Sequence, residues 1–419
     1  MIETNFKHTE IGLIPHDWEV KTLEESTQRV SVGLATSVTK YYSRTGVPMF
    51  RNLNIKENRL DDSDILYLDE AFANANPTKK IHKDDVLTVH TGYVGISCVV
   101  PEKYEGALTF TTLITTTKKE ILSPNYLSLY LNSNMGMNEV VLLQAGGGRN
   151  NLNVNDFIKL RITLPPTIAE QERIAGALSS IDTLIGALTE QIEKKRHIKQ
   201  GAMQQLLTGK KRLAGFTGEW KSVKLGEIGE TYSGLSGKTA DDFGKGDAQY
   251  ITFLNILNNP IIDTTIFERV QVRSGERQNV VHCGDLFFNT SSETPEEVGI
   301  CAVILDEIEN LYLNSFCFGF RLLDETIDGK YLAYYFRSKE GREIMTTLAQ
   351  GATRYNLSKS SFCKAEILLP PTIAEQTAIA AVLSGMDTEI AVLEKKRDKY
   401  IAIKSGMMQN LLTGKIRLA

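Results

Sequence analysis

Cysteine is scarce and badly placed for crosslinking. The five in this 419-residue chain, Cys98, Cys283, Cys301, Cys317 and Cys363, are odd in number, widely spaced and without a C-x-x-C pair. That excludes a disulfide framework and the common zinc ribbons, and leaves reduced core thiols as the expectation. Long apolar runs are also missing. Nothing approaches the roughly 18 residues a membrane helix needs, and Met1 to Glu10 lacks the apolar stretch of a signal peptide, so a cytoplasmic protein without membrane contact is expected. A basic excess is absent too: the formal charge is −4. An isolated DNA-binding domain is usually basic as a whole, so any nucleic-acid role has to rest on local charge or on a basic partner.

Catalytic signatures are equally sparse. Ser233-Gly-Leu-Ser-Gly-Lys-Thr239 approximates a phosphate-binding loop, but Tyr232 stands where the first glycine must be. The six histidines, His8, His16, His82, His90, His197 and His282, read as scattered and unrepeated, which argues against a metal site or a Ser/His/Asp arrangement. There is no nuclease-like carboxylate cluster with lysine and no Asn- or Asp-Pro-Pro-aromatic motif of an amino-methyltransferase. What remains is an ordinary globular composition, 42% hydrophobic and 23% charged, in a chain too long for one core.

The chain is a tandem duplication. LPPTIAEQERIAGALSSIDTLI from Leu164 is answered by LPPTIAEQTAIAAVLSGMDTEI from Leu369, and LLTGKKRLA ending at Ala214 by LLTGKIRLA ending at Ala419. The same register continues upstream through Gly136 and Gly341, Arg149 and Arg354, Asn151 and Asn356, Leu152 and Leu357, and Phe157 and Phe362. The openings correspond more loosely, Pro15-His-Asp-Trp18 with Thr217-Gly-Glu-Trp220. Between them only fragments match, such as Leu53-Asn-Ile55 with Leu254-Asn-Ile256 and Asp85-Val-Leu87 with Asp285-Leu-Phe287. A shared frame with divergent interiors suits two readers of different targets.

Each doubled segment predicts a long helix. Thr167 and Thr372 stand as N-caps after Pro-Pro, with Glu170 and Glu375 completing a capping box. Ile174, Leu178, Ile181, Ile185 and Leu188 in one copy, and Ile379, Leu383, Met386, Ile390 and Leu393 in the other, follow the 4,3 spacing of helices packed along a partner. Gly209 and Gly414 suit C-terminal caps. About 40 residues make a helix of roughly 60 Å, the length of a spacer or docking surface rather than of a core helix. An antiparallel pair would bury both seams and relate the halves by a pseudo-two-fold axis.

The intervening residues predict an α+β domain in each half, with strands at Asp85–His90, Thr109–Thr116 and Tyr312–Phe320 and single helices over Asn125–Val141 and Lys330–Leu348. The expected segments are 1–163 and 215–368 for the domains, 164–214 and 369–419 for the helical spacers. Candidate DNA contacts follow from chemistry, since arginine holds phosphate or guanine and asparagine pairs with adenine edges. They are Arg149 and Asn151, repeated as Arg354 and Asn356, with Arg51, Asn52, Thr91 and Tyr93 in the first half and Thr290 and Ser291 in the second. Asparagines that merely cap turns are the alternative. The glycines Gly146-Gly147-Gly148 before Arg149 do not persist beyond Gly351 in the second copy, so a turn presenting a cation fits better than a nucleotide loop.

Taken together, Ile14-Pro-His-Asp-Trp18 with Leu23, the doubled Leu-Pro-Pro-Thr-Ile-Ala-Glu-Gln, the doubled Leu-Leu-Thr-Gly-Lys, and Gly215-Phe-Thr-Gly-Glu-Trp220 resemble the specificity subunit of Type I restriction-modification systems along essentially the whole chain. The resemblance implies two target-recognition domains alternating with two helices that pair as an antiparallel coiled coil. Each domain would read one half of a bipartite, asymmetric double-stranded DNA site. Two modification subunits carrying S-adenosylmethionine would dock and methylate adenine, and two restriction subunits would complete an ATP- and Mg-dependent nuclease, leaving this chain non-catalytic and without a cofactor. Two departures from symmetry limit it: His197 faces Ala402 in the repeat, and Lys210-Lys211-Arg212 faces Lys415-Ile416-Arg417. Rival readings are a self-sufficient methyltransferase or nuclease, and a coiled-coil scaffold without DNA specificity.

Overall fold

The computed structural model describes residues 5–145 and 151–418. The chain forms two compact units, Met1–Leu188 with Lys396–Ala419, and Thr189–Lys395. Each unit therefore combines one globular segment with the facing parts of both long helices, Ile168–Leu206 and Ile373–Leu411, each of 39 residues.

Both globular segments have the same strand order. In the first, a four-stranded antiparallel sheet runs Ser97–Val99, Val86–Val89, Thr112–Thr117, Thr27–Val32; in the second it runs Cys301–Val303, Leu286–Asn289, Cys317–Leu322, Gly229–Ser233. A smaller sheet lies beside each, containing a parallel pair: Leu108–Thr109 on Val47–Phe50, and Leu311–Leu313 on Phe243–Ile251. A two-stranded ribbon joins the start and end of each segment, Glu19–Thr22 with Arg161–Leu164 and Lys221–Lys224 with Glu366–Leu369.

The runs read as single strands are thus pairs of strands. Thr109–Thr116 breaks at Phe110-Thr111, where Thr111 takes a φ of 48°, and Tyr312–Phe320 breaks at Asn314–Phe316. At each break the chain leaves the smaller sheet and enters the central one, so one β-rich run serves two sheets. The single helices expected after them are also each two: Pro124–Leu131 and Asn134–Ala145, Gly329–Arg337 and Lys339–Leu348. Ser133 and Ser338 cause the break. Each hydroxyl donates to a carbonyl of the preceding helix and accepts the N–H three residues on, at 3.2 Å from Gly136 and Gly341. A Cβ on those glycines would lie 2.2 Å from the Tyr130 carbonyl oxygen and 2.1 Å from that of Tyr335, which is why both copies carry glycine.

The cores differ in filling. In the first unit Trp18, Tyr126, Tyr130 and Phe157 pack with Ile174, Leu178, Leu411 and Leu412. In the second, Phe288, Phe318, Phe320, Phe336 and Phe362 form an aromatic cluster, extended to Leu206, Leu207, Ile379 and Leu383. Each core thus includes the start of one long helix and the end of the other. Cys98, Cys301 and Cys317 are buried, and burial pushes the Cys98 and Cys317 thiols up to about 12. Cys283 departs from the expectation of core thiols, lying exposed with Sγ on the Leu305 carbonyl.

The helices pair antiparallel. In the second unit the ion pairs run Lys195 to Glu389 at 2.6 Å, Lys199 to Asp387 at 2.5 Å and Arg212 to Glu375, the partner's number falling as the first rises. In the first unit Lys404 meets Asp182 at 2.5 Å and Arg417 meets Glu170. Ile174, Leu178 and Leu188 of the seam, with Ile379, Leu383 and Ile390, are buried, and Ile181, Ile185, Met386 and Leu393 half-buried. The capping box forms only by half. Thr167 and Thr372 accept the N–H of Glu170 and Glu375 at 3.2 and 3.3 Å, but the glutamate carboxylates grip Arg417 and Arg212 instead of reaching back. At the far ends Gly209 and Gly414 adopt φ of 69° and 67°, the left-handed cap that glycine makes cheaply.

Candidate nucleic-acid interface

The same three segments meet at one end of the central sheet in each half: the end of its second strand, the turn where the chain changes sheets, and the stretch after the broken helix pair. In the first half Thr91 bridges to Asn151, and the Leu152 N–H donates to the His90 carbonyl at 2.9 Å. In the second, Ser291 and Ser292 pair with Asn356 and Tyr355, and the Leu357 N–H donates to the Thr290 carbonyl at 2.8 Å. Residues about 60 apart in sequence are brought side by side by β pairing, and the repeat places them alike.

The side chains on these two rims differ. Asn52 donates to the Thr91 hydroxyl at 2.8 Å and accepts from the Thr112 hydroxyl at 3.1 Å, so its amide is fixed within the first rim. Tyr93 projects from the turn that follows Thr91, 86% exposed, and burial pulls the neighbouring His90 below the usual histidine range. Arg51 does not join the group: its guanidinium is committed to Asp64 at 2.6 Å. Arg149, proposed with them from the repeat, lies outside the described residues, while Asn151 is exposed.

In the second rim Thr290 is structural, its hydroxyl donating to the Phe316 carbonyl at 2.7 Å. Ser292 is engaged by Glu297 at 2.9 Å. Asn356 donates through Nδ2 to the Arg354 carbonyl at 3.1 Å, and among the described residues its Oδ1 accepts no hydrogen bond. Arg354 is exposed and makes no side-chain ion pair or hydrogen bond among the described residues. The rims therefore offer hydroxyls, amides, a free guanidinium and exposed aromatic surface, the groups that contact base edges and phosphates.

Sequence reasoning missed several residues. Phe316, 62% exposed, and the repeat-related pair Leu53 and Leu254, 49% and 62% exposed, stand on or beside these rims; nothing in their local pattern marks them as exposed. The histidines are also not unrepeated, as expected, because His82 and His282 match. Each backbone N–H donates to the buried Asp85 or Asp285 at 2.9 Å, and each ring meets a glutamate, Glu105 or Glu307. The constant spacing to the matched aspartates was the available signal. Among the described residues no cluster of three or more histidine, cysteine or carboxylate groups could hold a metal, and no helix is long and apolar enough to cross a membrane.

A second duplicated feature closes the helix ends. Arg417 ties Glu170 to Asp17 and lies 5.9 Å from the Trp18 ring, while Arg212 ties Glu375 to the Gly218 carbonyl and lies 5.9 Å from Trp220. This explains the doubled Leu-Leu-Thr-Gly-Lys-x-Arg and the tryptophan opening each half: the tail of one helix is locked onto the start of the other.

Comparison with known proteins agrees with this architecture. The chain is 26% identical to the type I restriction enzyme specificity subunit MjaX of Methanocaldococcus jannaschii over 99% of its own length and 97% of that protein. It is 19% identical to the EcoKI specificity subunit of Escherichia coli K12 over 97% and 90%. The S subunit structure of a type I system from M. genitalium superimposes with a TM-score of 0.61 at 13% identity, covering 98% of this chain and 97% of that one, and so shares the fold. The family defined as the type I restriction modification DNA specificity domain matches twice, at residues 15–195 and 217–401. The chain thus belongs to the type I restriction-modification DNA specificity family, as a specificity subunit carrying two DNA-recognition domains.

Proposed function

We propose that the two domains read the two halves of a bipartite, asymmetric double-stranded DNA sequence, and that the paired helices hold the non-specific gap between them. The observation that carries this is the duplicated rim: one backbone frame presents Asn52, Thr91, Tyr93 and Asn151 in one half and Ser291, Arg354 and Asn356 in the other. Identical frames with different side chains are what reading two different half-sites requires. Half-sites about one turn of DNA apart are roughly 34–36 Å from centre to centre, within reach of helices of this length.

The chain itself is non-catalytic in this reading. Two modification subunits dock on the helices and bring S-adenosylmethionine for adenine methylation; two restriction subunits bring ATP- and Mg-dependent cleavage, all in the cytoplasm. The charge of −4 fits such a division of labour: partner subunits neutralise most phosphates and this chain discriminates bases.

Co-expression with the neighbouring modification subunit, followed by single-molecule sequencing of methylated adenine, tests the proposal. A split, asymmetric motif with one modified adenine in each half is expected. Methylation at a continuous site, or methylation independent of this chain, would overturn it.

A further inference from the structure

We propose that Phe316 is a specificity-determining residue of the second domain, its ring packing on the C5-methyl group of a thymine in the major groove of the half-site read there. The inference rests on the DNA-reading function proposed above. Phe316 occupies the turn between Leu311–Leu313 and Cys317–Leu322, and the backbone of that turn is held on every side. The Phe316 N–H donates to Asn314 Oδ1 at 2.8 Å. Its carbonyl accepts from both the Thr290 N–H at 3.0 Å and the Thr290 hydroxyl at 2.7 Å, and the Asn314 N–H reaches the Ile251 carbonyl at 3.1 Å. A rigid turn thus presents a ring that is 62% exposed, and a preorganised contact loses little entropy on binding.

An isolated exposed phenylalanine means nothing by itself. Here the company decides. Thr290, which anchors Phe316, also accepts the Leu357 N–H, and the adjoining Ser291 pairs with Asn356. Phe316, Ser291 and Asn356 are therefore on one rim, with the unpaired Arg354 two residues from Asn356. Leu254, 62% exposed, lies in the first turn of the helix Phe253–Asn258 that follows Ile251, the residue to which the turn is tied. An apolar ring beside an asparagine amide matches what an A·T pair shows in the major groove, a thymine methyl beside the adenine N6 and N7, while the guanidinium of Arg354 suits a neighbouring phosphate. Insertion between base pairs would need a ring that projects freely, whereas Phe316 keeps more than a third of its surface against the protein. The repeat-related position in the first domain is Thr111, half-buried with a φ of 48°, so this contact belongs to the second half-site alone.

The test uses the complex of the full chain with its modification subunits and duplexes carrying the split motif found by methylation mapping. Uracil replaces each thymine in turn, removing one methyl group. At one position of the second half-site, affinity should fall roughly fourfold, the worth of one buried methyl. Phe316→Ala should weaken binding at least as much and become indifferent to uracil at that position; Phe316→Leu should restore part of the discrimination. Phe316→Ala must keep the unmodified protein's discrimination at the first half-site, so a misfolded variant, indifferent everywhere, cannot mimic success. The inference is overturned if uracil in the second half-site has no effect, if Phe316→Ala still discriminates, or if that half-site holds no thymine. Brightening of 2-aminopurine beside the site on binding, without a uracil effect, would identify insertion instead. A complex with no split motif at all is a different result: it removes the DNA-reading function, and this inference with it.

Discussion

The repeat supplies an internal control for the energetics of the helix seam. Asp387 and Asp182 are equivalent positions, as are Lys199 and Lys404, and both ion pairs close at 2.5 Å. One difference between their surroundings bears on the aspartates. Asp387 also accepts the Tyr334 hydroxyl at 2.8 Å, while the residue equivalent to Tyr334 is Leu129, and Asp182 Oδ2 is buried with no hydrogen-bond partner. Burial and the neighbouring Asp387 both raise the Tyr334 phenol above its usual pKa, so it stays a donor throughout the accessible pH range. Asp387→Ala strips partners from a mostly covered lysine, side chain 19% exposed, and from Tyr334, and should cost about 3 kcal/mol. Asp182→Ala strips an equally covered lysine, side chain 15% exposed, of its partner, but it breaks no tyrosine bond and removes an unsatisfied oxygen, and should cost about 1–1.5 kcal/mol. The difference, roughly 1.5–2 kcal/mol, is that of a hydrogen bond to a charged group. Hydrogen exchange of the helix amides around each aspartate, followed in low urea, reads the local opening free energy of each site separately. In a Tyr334→Phe background the cost of Asp387→Ala should drop to that of Asp182→Ala. Equal costs in the unmodified background, or no coupling to Tyr334, would refute the reasoning.

Arg212→Ala and Arg417→Ala each leave a buried carboxylate, Glu375 at 0% and Glu170 at 4% exposure, without its cation; each should cost about 3–5 kcal/mol, visible as a lower urea midpoint, and Lys should rescue less than half because it cannot bind in two places. Acid should destabilise both units. Lys103 and Tyr104 hold the Asp62 carboxyl down to about 2; His82 and then the Lys83 N–H lower Glu105, and the Cys283 N–H and then His282 lower Glu307. Because folding depresses these carboxyls, their contribution is complete above the unfolded values near 4 and disappears as pH falls toward 2. Thermal unfolding from pH 6 to 2 should show that decline, shallower in Asp62→Asn. Finally, four residues added after Leu188 and four after the equivalent Leu393 lengthen each helix by about 6 Å, and methylation mapping should show the gap widened by one or two base pairs; an unchanged gap would exclude the helices as its ruler.

What the sequence determined by itself is what is written in one dimension. The duplication, the two helices, their seam and their glycine caps follow from residues near one another or at a fixed offset, because a 3.6-residue period and a capping glycine act locally. Tertiary structure decided the rest. Ser133 and Ser338 break the following helices only because Gly136 and Gly341 can pass against carbonyl oxygens at 2.2 and 2.1 Å. Glu170 and Glu375 abandon their capping role because Arg417 and Arg212 arrive from the opposite helix ends. The rim could not be assembled from the sequence, since Thr290, Phe316 and Asn356 meet only when one β-rich run switches sheets and the stretch after the broken helices pairs beside it. Nor could the exposure of Phe316 be foreseen: in a run of Phe316-Cys-Phe-Gly-Phe320 two of the three rings enter the aromatic core, and only the turn that breaks the strand leaves the first outside.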